Sequence, residues 1–326
     1  MQMALHIDNR AGYSGEQLDA IADGLERMDC PESAEVIISD NFVSDVRAFL
    51  GSATYGTDRG TGVVAAKTIP VAANRQVIVV NAEPVSELDL RQLSRLLAHE
   101  AGHVLIDSRM EGHPDTRSTW MGDQVLHSLA ATALDEYRVE KALYANGFPL
   151  ADEVDWAAVG DVATEVNLDV MTALVDEANK NDPEKLAGAI TAVHNWSSKK
   201  LAYTAAAVAG GALAEPARVP AKYQEDWADY IKRGWSHRQA GYREAPDAAT
   251  PASAEQLQRL VAKLMTVEPP PTSTPWGSSI GSTAAPGDSI GGKTIGCSTL
   301  DGTELFARSP SGIPRVWPER RLRITT

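Results

Sequence analysis

The chain has 326 residues, 43% hydrophobic and 23% charged, the composition of a soluble globular protein long enough for two modest domains or one domain with a tail. Its 44 acidic against 30 basic residues give a net charge of −14 and exclude a phosphate-neutralising surface, hence nucleic-acid binding, as its main business. Two cysteines, Cys30 and Cys297, exclude a disulfide framework and a thiolate zinc cage.

The start, Met-Gln-Met-Ala-Leu-His-Ile-Asp, has neither the basic n-region nor the apolar h-region of a signal peptide. The most apolar stretch, Leu201 to Ala214, is too short to span a bilayer. The expectation is a soluble, cytoplasmic protein that does not engage a membrane.

In chain order, Leu18, Ile21, Ala22 and Leu25 form the apolar stripe of a helix over 16–28. The β-branched runs at 35–39 and 76–80 read as buried strands. A Gly- and Asp-rich loop over 55–62 lies between them, followed by a third strand over 63–69, ended by Pro70. Ser86 can cap a helix whose apolar positions include Leu90, Leu93, Leu96, Leu97 and Val104. After a loop over 110–122, a second long helix starts at Asp123 and stops at Asn146-Gly147. Residues 152–267 read as four or five further helices, broken near Pro183, Gly210-Gly211, Pro216 to Pro220 and Pro246 to Pro251. From Glu268 onward eight Pro and eight Gly fall within 59 residues with no apolar periodicity, which predicts a disordered tail. The whole reads as α+β, with a mixed first part and a helical second part.

Two short motifs stand out. Gly287 to Thr294 matches the phosphate-binding pattern G-x-x-x-x-G-K-T, but a working phosphate loop needs a strand before it and a helix after it. Here a Pro/Ser/Gly tract precedes the match and no helical stripe follows, so no nucleotide is expected. The other motif is His99-Glu100-Ala101-Gly102-His103. An i, i+4 spacing puts both imidazoles on one helical face, and Glu100 then projects beside a bound metal, where it can take a proton from water. Gly102 costs about 1 kcal/mol of helix propensity relative to Ala, which close approach of a backbone or substrate would explain.

Two histidines leave zinc short of its usual three protein ligands. The positions where metzincins carry a Gly and a third His hold Ile106 and Arg109. The second helix offers Glu136 and Glu140, four apart and on one face: one carboxylate can bind the metal while the other orients a ligand imidazole. That leaves open which is which.

His99-Glu100-x-x-His103 followed by Glu136-x-x-x-Glu140 resembles the gluzincin, thermolysin-like branch of the zincin-like metallopeptidases over about residues 35–147. In that family the ligand glutamate opens an N-E-x-x-x-D string, which here reads Asp135-Glu136-Tyr137-Arg138-Val139-Glu140. The resemblance implies Zn2+ held by His99, His103 and Glu136, Glu140 supporting a histidine, and Glu100 as general base of peptide hydrolysis. It also implies a zincin-like core over 1–150; pattern and composition give the rest, a helical region over 151–267 expected to complete the cleft and a disordered Pro/Gly/Ser-rich tail over 268–326. An edge strand pairing with extended substrate would be 63–69 or 76–80. A transition-state stabiliser is sought among His113, His127, His194, Tyr203, Tyr223 and His237, with none assigned. The competing class is a non-catalytic zinc-containing regulatory or interaction protein.

Overall fold

In the computed structural model, residues 6–53, 55–59, 62–72, 75–112, 120–148, 155–265 and 304–308 are described. The first part alternates strand and helix: β1 (His6–Asn9), α1 (Gly15–Arg27), β2 (Ala34–Ser39), α2 (Phe42–Leu50), β3 (Asp58–Arg59), β4 (Gly62–Ala72) and β5 (Arg75–Asn81). The strands order as β1–β2–β5–β4, with β1, β2 and β5 parallel and β4 antiparallel to β5. The two-residue β3 pairs with β4 inside the predicted loop. Period-two alternation sorts the side chains onto two faces. Val36, Ile38, Ile78 and Val80 pack under α1 and the following long helix, while Ile37, Val77 and Val79 meet Phe42 and Val46 of α2.

A four-residue helix, α3 (Ala82–Val85), leads to α4 (Leu90–Ser108) and α5 (Met121–Ala145). Ser86 closes α3 rather than opening the long helix. Asp89 caps α4, because its carboxylate accepts from the backbone of Gln92 while the Gln92 side chain accepts from the Asp89 backbone. Helix α5 ends at Asn146, with Gly147 at φ +80°, where the sequence placed its stop. The third strand runs past Pro70 to Ala72, with a register shift after the proline, which has no N–H for the ladder.

The second part is helical: α6 (Trp156–Val175), α7 (Pro183–Ala209), α8 (Gln224–Asp226), α9 (Arg233–Arg243) and α10 (Ala254–Met265), with a π-helical segment Trp227–Lys232 joining α8 to α9. Trp156, Trp227 and Trp235 pack on one another in its core. Helix α5 serves both parts. Ala130, Ala133, Leu134 and Tyr137 belong to the helical core, and Val139, Ala142 and Leu143 to the core under the sheet.

Most of the tail, with Gly287 to Thr294 and Cys297, lies outside the described residues. Five residues differ from the expectation of disorder: β6 (Glu304–Arg308) pairs antiparallel with Gly62 to Lys67, on the edge of β4 opposite β5. Among the described residues, no helix is long and apolar enough to cross a membrane.

Candidate metal centre

Helix α4 is set against α1 by Gly24, where a Cβ would lie 2.0 Å from the Ser94 carbonyl oxygen, and against the sheet by Leu93, Leu97, Ala101 and Val104. That contact face fixes the direction of the opposite one, which points Arg95, His99 and His103 at α5. Gly102 lies against α5: a Cβ there would lie 2.8 Å from Val139 Cγ1. The close approach expected at Gly102 is thus to a neighbouring helix.

His99 Nε2 and His103 Nε2 lie 3.1 Å apart, and Glu136 Oε2 is 3.4 Å from the first and 3.8 Å from the second. Metal–ligand bonds of about 2.0–2.1 Å in a tetrahedron separate ligand atoms by about 3.3 Å, so the three atoms span the right triangle for one ion. His99, His103 and Glu136 form the one such group found among the described residues, and all three are buried. A donor set of two imidazoles and one carboxylate suits zinc and neighbouring divalent metals. One buried carboxylate oxygen on the same helix, Glu100 Oε1, has no hydrogen-bond partner, which fits a centre built to receive a further group.

A second layer orients the first. Glu140 Oε1 lies 2.9 Å from His99 Nδ1, which leaves Nε2 to face the cluster when Nδ1 carries the proton. Arg95 pairs with the other oxygen of Glu140. From α7, Tyr203 donates to Glu136 Oε2 at 2.9 Å and Lys199 Nζ lies 3.0 Å from Glu136 Oε1. On the sheet side, Thr68 of β4 donates to Glu100 Oε2 at 2.7 Å.

These contacts set the charges. Burial works against the His99 imidazolium, but Glu136 and Glu140 outweigh it and raise the pKa to about 9. Burial lowers His103 to about 4, helped by the charge of His99 and opposed by Glu136. Glu136 is held well below the usual carboxylate range despite burial, by Lys199 and the two histidines. Burial raises Glu100 to about 7, with His99 and Thr68 pulling the other way.

The structure thus brings His99, His103, Glu136 and Glu140 into one cluster, with Glu136 turned to both imidazoles and Glu140 to the outer nitrogen of His99, while Glu100 is buried on the same helix and held by Thr68 of β4. Of the stabiliser candidates, Tyr203 joins it, Tyr223 packs over Gly160 in the helical core, and His113 lies outside the described residues. Thr68, Arg95 and Lys199 were not anticipated. Arg95 had a signal, standing one turn before His99 on the same face. Lys199 had a weaker one, a cation four residues from Tyr203 on the same face of a buried run. Compared with known proteins, the chain matches no family model, no curated protein and no solved structure.

Proposed function

We propose that the chain is a zinc-dependent hydrolase, a metallopeptidase of gluzincin type, in which His99, His103 and Glu136 hold the metal and Glu100 is the general base. The observation that carries this reading is the placement of Glu100. Its carboxylate is fully buried next to the ligand cluster, anchored through one oxygen by Thr68, with the other oxygen unpartnered and the pKa near 7. A purely structural metal site has no use for such a group. Zinc, held by His99, His103 and Glu136, would supply Lewis-acid chemistry, acidifying water and polarising a carbonyl. Glu100 Oε1 then accepts the proton of the attacking water and passes it to the departing amine. Glu140, braced by Arg95, keeps His99 Nε2 turned inward.

The sheet supports an extended peptide as the substrate class. Strand β5 is enclosed between β2 and β4, so 76–80 has no free edge to offer. Strand β4, which carries Thr68, is paired on its other edge by β6 over Gly62 to Lys67, so among the described residues the stretch from Thr68 to Ala72 is the part of that edge left for an added antiparallel strand. In this reading the sheet, α4 and α5 form a zincin-like core and the helices from α6 onward wall the cleft.

The decisive experiment is metal analysis of the purified protein together with Glu100→Gln. About one zinc per chain is expected, retained in Glu100→Gln with peptide hydrolysis lost. Full hydrolysis by Glu100→Gln overturns the proposal.

A further inference from the structure

The two oxygens of Glu136 face different groups. Oε2 is turned to His99 and His103 and accepts from Tyr203, whereas Oε1 lies 3.0 Å from Lys199 Nζ. Lys199 and Tyr203 stand one turn apart on α7, so a single helix face addresses both oxygens. Lys199 is 3% exposed and Glu136 0%. A buried ammonium needs a counter-charge, and Glu136 is the carboxylate with which Lys199 pairs. A plain structural ion pair between α5 and α7 accounts for that burial. It does not account for where the charge sits, since a fixed cation one carboxylate away from three metal-ligating atoms opposes the binding of another cation.

We propose that Lys199 is a positioning residue: by holding Oε1, it keeps Glu136 a one-oxygen ligand through Oε2 and so preserves the open coordination position. This rests on the reading that His99, His103 and Glu136 hold zinc. The torsion that turns a glutamate carboxylate is broad and roughly two-fold, so nothing intrinsic to the side chain prevents Oε1 from swinging inward. Without the ammonium, both oxygens are free to bind the ion and fill the position that water and substrate require.

Cobalt(II) reports this directly, because it takes the same nitrogen and oxygen ligands as zinc and its visible absorption weakens as coordination number rises. In the full chain, Lys199→Met is expected to bind Co2+ at least as tightly as wild type, with weakened visible bands. With zinc restored, its kcat for a peptide substrate falls about 10- to 100-fold while KM changes little. Lys199→Gln, whose amide can still donate to Oε1, retains the wild-type spectrum. An unchanged spectrum in Lys199→Met, or weaker cobalt binding with an unchanged spectrum, overturns the proposal and leaves a structural ion pair. Should Lys199→Met not fold, X-ray absorption of the wild-type zinc protein decides: two oxygens of one carboxylate on the metal overturn the proposal, and one supports it. Failure of wild type to bind Co2+ is a separate result, which removes the metal reading itself.

Discussion

A methyl group on Gly102 would lie 2.8 Å from Cγ1 and 3.0 Å from Cγ2 of Val139, so these two residues set the distance between α4 and α5. A valine side chain is stiff at χ1 and cannot turn away. Gly102→Ala is therefore expected to force the helices apart, lowering stability by about 1–3 kcal/mol and weakening metal binding. Gly102→Ala combined with Val139→Ala should recover much of the metal affinity, because the second change removes the atoms that clash. Chelator competition on the four proteins of the double-mutant cycle measures the coupling.

The two glutamates of α5 are expected to separate by their effect on the metal. Glu136→Ala leaves two imidazoles and should yield a largely metal-free protein. Glu140→Ala removes only the brace on His99 Nδ1 and should weaken binding about 10- to 100-fold. Metal content after dialysis distinguishes them, and the opposite ranking makes Glu140 the ligand.

Metal uptake should release a proton. With His99 at about 9, the metal-free protein at pH 7 carries a proton that the ion must displace. Apparent metal affinity is expected to rise about tenfold per pH unit between about 4, above which His103 is neutral, and about 9, and the heat of binding to depend on the buffer's ionisation enthalpy. Affinity independent of pH in this window contradicts the assignment of the proton to His99.

Glu100 gives the metal-free protein a pH-dependent stability of the opposite sign to an ordinary paired carboxylate. Its folded pKa is raised, so the fold prefers the protonated form. The associated stability is whole below about pH 4.5 and is lost as pH rises through about 7. The loss amounts to roughly 3 kcal/mol, from about 1.4 kcal/mol per unit. Glu100→Gln, neutral at every pH, should raise the melting temperature of the metal-free protein at pH 8 and leave it nearly unchanged at pH 4.

The parts of this centre that sequence could show are those fixed by one helix at a time. His99 with His103, and Glu136 with Glu140, are each four apart, so helical geometry alone predicts their common faces. Their meeting depends on Gly24, Gly102 and the packing of three helices, which no local pattern encodes. Thr68 and Lys199 reach the centre from a strand and a distant helix, and are legible only in three dimensions. Strand β1 escaped notice because four residues on one parallel partner give too short a pattern to detect. Helix α2 carries a start signal in Asn41 at its N-cap, but its nine residues give too short an apolar stripe to detect.

The double membership of α5 links metal occupancy to the folding of the whole molecule. Glu136 falls within its stretch in the helical core and Glu140 within its stretch in the sheet core. An ion bound by α4 and α5 stabilises only states in which both helices are formed and docked. Because α7 and the tryptophan cluster lean on that same helix, their local opening should become rarer when the ion binds. Hydrogen exchange should therefore slow in amides of α7, far along the chain from either histidine. Weakening the helical core at Trp235 should in turn appear as weaker metal binding at equilibrium, by the reciprocity that governs any two linked equilibria.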